Sequence, residues 1–320
     1  MASSDIFYKV EAQNLLKNRR IFFFGDSNVR ALYKDLVWLI EYGTLIPKTG
    51  LKRKNEPSFA QDVRLSNAPC TNSLTYEEVR RYAGNGTLLQ FEFLTRVFQK
   101  RFRTSIANMN SPSLLVINSC LWDISRYGPF SIDEFKLNLI EMIEFIRQKL
   151  SEVQIVWITT LPPSPKCRGG FLNEDIKFLQ SILPFHVVQA NEFVADTLRA
   201  YNVDILDLHY HLKFLIEFRG GDGIHWTPTA VRFMTNLLLT HISICWGCSL
   251  PGRVLVGGKY GMLSNLARNV TCFSETQGSN NNGTSKRAKR RRNRKRQASN
   301  FRRGKKNHYR IIDFTKDTFF

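Results

Sequence analysis

Cysteine is scarce: six in 320 residues, too few for a disulfide-built scaffold. Free thiols in a reducing compartment are expected. Long hydrophobic runs are missing as well. A membrane span needs about 18 or more apolar residues, and the richest stretch, Met234–Trp246, is broken by Thr235, Asn236, Thr240 and His241. The opening residues, Met-Ala-Ser-Ser-Asp-Ile-Phe-Tyr-Lys, hold no basic segment leading into an apolar one, so no signal peptide is expected. The Asn-x-Thr sequons at Asn85, Asn269 and Asn282 then carry little meaning. An intracellular protein, cytoplasmic and/or nuclear, is the expectation. Acid is absent from one long segment: residues 286–310 hold 14 Lys/Arg and no Asp or Glu.

That segment accounts for most of the net charge of +19. Residues 1–285 carry 31 basic and 25 acidic residues, a net of only +6. The basicity therefore belongs to a tail and does not by itself indicate a nucleic-acid-binding fold. Over the whole chain apolar residues are plentiful, at 43% with 24 Phe, which excludes a wholly disordered chain.

Residues 21–24 form an apolar run that stops at Gly25-Asp26-Ser27, as a buried parallel strand would. A helical stripe follows at Val29, Leu32, Tyr33, Leu36, Val37 and Ile40. Residues 44–87 read as loop-rich with a short helix at Tyr76–Tyr82. Leu88–Leu94 reads as a strand and Thr95–Met109 as a basic helix. Leu114–Asn118 is a second buried strand, ending in a polar loop at Asn118–Tyr127. Ser131 and Glu134 form a capping-box pattern for a helix to about Leu150. Gln154–Thr159 is a third buried strand, followed by a Pro-rich loop from Thr160 to Gly170. Leu172–Leu183 and Ala190–Tyr201 read as helices parted near Pro184. Val203–Leu208 reads as a strand and Pro228–Ile242 as a last helix. Strand–helix alternation of this kind predicts one α/β domain with a mainly parallel central sheet. The domain is expected over residues 1–245. A Gly-rich extension covers 246–270, and a basic, disordered tail covers 271–320, ending in an apolar cluster at Tyr309–Phe314 and Phe319-Phe320.

Ser27 falls at a strand-to-helix junction, where helix N–H groups favour developing negative charge. Such a serine reads either as a nucleophile or as a helix N-cap. A hydroxyl nucleophile needs a base, and the base needs an orienting partner. Asp222-Gly223-Ile224-His225 offers both in one loop. Its three-residue spacing lets a carboxylate hold Nδ1–H while Nε2 faces outward. Taken alone, that loop reads first as a Gly-rich turn with incidental Asp and His.

The combination of an early Gly25-Asp26-Ser27 and a late Asp222-x-x-His225 resembles the SGNH/GDSL hydrolase superfamily. Gly25–Arg30, Asn118–Gly128, Thr159–Pro162, Arg168–Phe171 and Asp222–Trp226 are similar, in order, to the PC-esterase branch, and more narrowly to the soluble animal PC-esterase domain-containing proteins. The resemblance covers roughly residues 15–245, stops before the tail, and implies an SGNH-hydrolase-like, flavodoxin-like three-layer α/β sandwich around the mainly parallel sheet. It implies Ser27 as nucleophile, His225 as general base and acid, and Asp222 as its orienter. The implied chemistry is that of an acyl esterase or acyltransferase on an O-acylated small molecule or carbohydrate-like substrate, with neither metal nor organic cofactor. The alternative is a hydrolase-fold binding protein with weak or no activity.

An oxyanion hole should accompany such a triad. The Ser27 N–H is one donor. The family pattern adds a Gly and an Asn from two further blocks, and here the sequence departs from it. Gly84 or Gly86 is the candidate backbone donor. Asn118 either donates its amide or caps the following loop. Arg30, one turn after Ser27, reads as an anion-binding group, a loop brace or a surface ion pair. Trp122, Asp123, Arg126 and Trp226 are candidates for lining a pocket, with packing the competing reading for Trp122.

Other patterns fail. His209 and His211 lack enough partners for a metal. Cys245-Trp246-Gly247-Cys248 is a lone Cys-x-x-Cys without a second pair, so neither a zinc nor a redox site is expected there. Gly252–Lys259 lacks P-loop spacing, and Val29 spoils a Gly-x-Ser-x-Gly elbow. The basic run within residues 286–310 reads as a nuclear-import signal met by an import receptor, a non-specific nucleic-acid arm or a solvated tail. With no aromatic inside Lys286–Arg296, base stacking is not indicated.

Overall fold

Strand β1 (Arg20–Gly25) sends alternate side chains to opposite faces of a sheet. Ile21 and Phe23 enter one apolar cluster, Phe22 and Phe24 another. In β5 (Leu114–Ile117), Leu114 and Val116 face the first cluster while Leu115 and Ile117 face the second. β6 (Gln154–Ile158) divides Val156 and Ile158 from Ile155 and Trp157 in the same way. Strands covered on both faces need apolar residues at every position, hence the unbroken runs in the sequence.

The computed structural model describes residues 5–252, apart from 68–72, 129, 169–171 and 173. The chain divides into two units, residues 1–269 and 270–320. The second unit, with the basic run and the apolar cluster after it, lies outside the described residues, as does most of the Gly-rich extension.

Four more strands complete the sheet: β2 (Val63–Arg64), β3 (Val79–Gly84), β4 (Thr87–Phe93) and β7 (Asp204–Leu206). Their order is β2-β3-β4-β1-β5-β6-β7. The run from β4 to β7 is parallel, while β2 and β3 are antiparallel additions at one edge. Counting the parallel strands alone gives the flavodoxin-like order 2-1-3-4-5, whose winding reverses between β1 and β5. A crevice opens at that switch point, beside the carboxyl ends of the strands.

Helices cover both faces. α1 (Lys9–Leu16), α2 (Ser27–Tyr42), α8 (Leu208–Leu212) and α9 (Pro228–Cys245) supply the first cluster. α4 (Lys100–Ala107), α5 (Leu121–Arg126), α6 (Ser131–Lys149) and α7 (Leu183–Ala200) supply the second. A short α3 (Lys48–Lys52) lies between α2 and β2. The three-layer α/β expectation therefore holds. No described helix is long and apolar enough to cross a membrane.

Several local expectations need correction. The helix expected at Tyr76–Tyr82 is largely strand β3. Its Arg80 is fully buried between Asp62 and Glu78, so buried charge disguised an interior strand. The polar loop at Asn118–Tyr127 contains α5. α7 runs unbroken past Pro184, which sits in its first turn, where a missing N–H costs nothing. Residues 174–182 before it form a 3₁₀ helix. Ser131 is the first helical residue of α6, with Phe130 at the cap and no side-chain cap bond, so the capping box does not form.

Candidate active site

Each residue of Gly25-Asp26-Ser27 has a separate physical task. A Cβ on Gly25 would lie 2.4 Å from Val29 Cγ2 and 2.9 Å from the Asn118 carbonyl oxygen, so only glycine lets α2 start so close to β5. Asp26 is the N-cap of α2 and accepts from the Asn28 N–H at 2.8 Å. Burial pushes its carboxyl above the ordinary value. The capping role therefore falls to Asp26, and Ser27, the first helical residue, keeps its hydroxyl for another partner. That partner is His225 Nε2, 2.8 Å from Ser27 Oγ.

The partner loop is built with equal economy. Asp222 Oδ2 lies 2.8 Å from His225 Nδ1. Asp222 Oδ1 accepts from the Ile224 and His225 N–H groups, both at 3.0 Å. The bond from His225, aided by those backbone donors, holds the Asp222 carboxyl far below the usual carboxylate range. With Nδ1–H given to Asp222, Nε2 is the acceptor for the Ser27 hydroxyl. The Pro-rich loop pins this turn from outside. The Ser164 N–H donates to Gly223 O at 2.8 Å, the Arg168 N–H to Asp222 O at 3.0 Å, and Arg219 Nη1 to Pro162 O at 3.0 Å. Gly223 has φ +82°, and a Cβ there would sit 2.6 Å from Ser164 Cβ. The His225 and Asp222 side chains are 49% and 43% exposed, so the cluster is open to solvent.

The structure disperses the other candidates. Gly84 and Gly86 lie at the β3–β4 turn, where Gly86 O accepts from the Asn18 N–H at 2.8 Å. β4 is parallel to β1 and begins beside Arg20, so this turn is at the amino edge of the sheet. The length of β1 separates it from Ser27, and neither glycine serves as an oxyanion donor. The Asn118 amide donates to Ile158 O at 2.7 Å and to Thr160 Oγ1 at 3.1 Å. Both its protons are thereby committed to bracing β5 against the end of β6. Arg30 is not a surface ion pair. It is buried and bonded to Glu78 at 2.8 Å and to the Tyr76 hydroxyl at 3.1 Å.

Asp123 is buried, accepting from Ser119 Oγ at 2.6 Å and the Val97 N–H at 3.0 Å. Burial pushes its carboxyl up to about 6. Trp122 packs edge-on against Phe93 and carries the Arg126 guanidinium 4.3 Å over its ring. Trp226 is buried in the first apolar cluster rather than forming a cleft wall.

Two residues were not singled out from sequence. Cys120, the buried residue before α5, has φ 154°, a conformation that favours glycine. Thr160 joins three elements: besides Asn118, it exchanges two 2.9 Å bonds with the Asn191 side chain, and its carbonyl lies 2.8 Å from His209 Nδ1. Beside Ser27's neighbours is a cavity of about 20 Å³, lined by residues including Asn28, Val29, Asn118, Thr160, Leu161 and Met234. That is room for about one water-sized group.

The profile of the GDSL-like lipase/acylhydrolase family matches residues 21–238. The chain belongs to that family and has its esterase-like hydrolase fold. Human PC-esterase domain-containing protein 1A is 37% identical over 256 residues, which is 77% of this chain and 56% of the relative. Human PC-esterase domain-containing protein 1B is also 37% identical, over 77% of this chain and 59% of its own length. The chain thus spans somewhat over half the length of these curated relatives. Among solved structures, a peptidoglycan O-acetylesterase aligns over 73% of this chain and 93% of its own, with 9% identity and a TM-score of 0.46. A lipase/acylhydrolase from Enterococcus faecalis aligns over 74% and 100%, with 14% identity and a TM-score of 0.42.

Proposed function

We propose that the chain is a serine acyl esterase or acyltransferase acting on an O-acylated small molecule or carbohydrate-like substrate. The observation that carries this reading is the relay from Ser27 Oγ through His225 to Asp222, with both contacts at 2.8 Å. In the proposed reaction, Ser27 Oγ attacks the acyl carbonyl carbon while His225 Nε2 takes the hydroxyl proton. The resulting oxyanion is met by the Ser27 N–H at the amino end of α2, whose dipole favours negative charge. Collapse breaks the ester C–O bond, and His225 returns its proton to the leaving alcohol. Water, or a second hydroxyl, then attacks the acyl-Ser27 ester and regenerates the enzyme. Asp222 stays ionised throughout and stabilises the imidazolium.

The committed amide of Asn118 favours a second reading, a hydrolase-fold binding protein whose oxyanion site is too sparse for fast turnover. A panel of acetylated sugars and simple aryl esters separates the two. The enzyme reading predicts hydrolysis that Ser27→Ala abolishes. Binding without turnover, unchanged by Ser27→Ala, overturns it.

A further inference from the structure

The fold supplies the lone Cys-x-x-Cys with partners that the sequence does not place beside it. Asp204 begins β7, and His241 and Cys245 lie four residues apart on the last turns of α9. Residues at that spacing share one helix face. Asp204 Oδ2 lies 3.5 Å from Cys245 Sγ and 3.7 Å from His241 Nε2, and all three donor atoms fall within 4.8 Å of one another. His241 Nε2 is buried and makes no hydrogen bond.

From this geometry we infer that Asp204, His241 and Cys245 form a binding site for a thiophilic divalent cation, zinc being the best fit. A tetrahedral zinc with Zn–S of about 2.3 Å and Zn–N and Zn–O of about 2.0 Å sets an S···O edge of about 3.5 Å and an N···O edge of about 3.3 Å. The S···O distance of 3.5 Å, across which the Cys245 thiol donates to Asp204 Oδ2, equals the first edge, and the N···O distance of 3.7 Å is longer than the second by about 0.4 Å. A hydrogen-bonded His–Asp pair would be tighter, because N–H···O distances fall between about 2.7 and 3.2 Å.

The surroundings support the site in two further ways. Gln154 Nε2 donates to Asp204 Oδ2 at 3.1 Å, and Gln154 Oε1 accepts from Trp246 Nε1 at 2.7 Å. This fixes the carboxylate as an outer ring of hydrogen bonds does around a metal ligand. His241 and Cys245 also sit at the carboxyl end of α9, where the helix dipole favours a cation. Cys245 is exposed, so an ion and a fourth ligand, water, have access.

The site lies at the amino end of β7, whereas Ser27 follows the carboxyl end of the parallel strand β1. It is therefore a structural clasp between β7 and α9, separate from the hydrolase chemistry. Three protein donors suit zinc better than magnesium or calcium, which take oxygen ligands. Binding exchanges the Cys245 thiol proton for the cation, so one proton is released at that sulfur for each zinc bound.

The test uses the full chain, loaded with one equivalent of zinc sulfate and passed over a desalting column, with metal measured by mass spectrometry. The wild type should retain one zinc per chain and gain thermal stability. Cys245→Ser and His241→Ala should each weaken zinc binding by more than about 100-fold, beyond what loss of an orienting partner costs. Circular dichroism checks that both variants stay folded. Cobalt substitution gives a second readout: a thiolate-to-cobalt charge-transfer band in wild type, lost in Cys245→Ser. A wild type that retains no zinc overturns the proposal. So does zinc held equally well by both variants, or a cobalt complex without the thiolate band.

Discussion

Asp222 illustrates how one side chain can do two jobs. One carboxylate oxygen closes the turn through two backbone N–H groups, and the other receives His225 Nδ1. Asp222→Asn keeps the turn acceptor but removes the charge that orients and stabilises the imidazolium. The expected result is a loss of kcat/KM on the order of 10³–10⁴, with little change in the melting temperature. Because the Asp222 carboxyl is held so low, its own protonation does not set the acid limb of the rate profile. This loop became legible only together with Gly25-Asp26-Ser27, because its three-residue spacing fits a carboxylate–imidazole pair but fits a plain turn as well. Asn118 and Gly84 were not legible. Which partners take an amide, and which end of a sheet a turn occupies, are tertiary facts.

The β1–α2 unit is where element and site are the same object. Its apolar run, its glycine and its helical stripe all pointed to one structure, and each is buried as that pattern requires. Gly25→Ala tests the unit, since its methyl would collide with Val29 and the Asn118 carbonyl. The expected cost is about 3 kcal/mol, read as a lower midpoint in denaturant melts, with Ser27 displaced and activity falling alongside. The β2–β3 edge was illegible for the opposite reason. Arg30, Lys34 and Arg80 are buried there against Glu56, Asp62 and Glu78. A strand that buries paired charge carries no alternation of apolar and polar residues to read. α7 was split for a similar reason: proline marks a break only beyond the first turn of a helix.

At the scale of the whole molecule, stability carries a signature of the buried Asp123. Its folded value of about 6 exceeds the ordinary 3.8, so the folded state binds the proton more tightly than the unfolded one. Stability from this group is greatest at low pH. It falls as pH rises from about 4 to about 6, then levels, by at most about 3 kcal/mol. Asp123→Asn should make the slope in that window shallower, leaving the part due to Glu92, whose carboxyl burial pushes up to about 7; thermal melts from pH 4 to 7 would show the change as a difference of several degrees. A persistent wild-type slope in the variant contradicts the assignment. The net charge of +19 belongs to the same scale, and most of it sits in residues 286–310. Deleting that segment is predicted to shift the protein's distribution between nucleus and cytoplasm while leaving ester hydrolysis unchanged. Fluorescence microscopy and an esterase assay measure the two effects separately.

On the proposed mechanism, Ser27 is a nucleophile activated by His225. The most direct measurement is reaction of the folded, full chain with a fluorophosphonate, followed by peptide mapping. A single covalent adduct on Ser27, absent in Ser27→Ala and much slower to form in His225→Ala, is the predicted result. No adduct on folded protein, while a known serine hydrolase labels in the same tube, would contradict it.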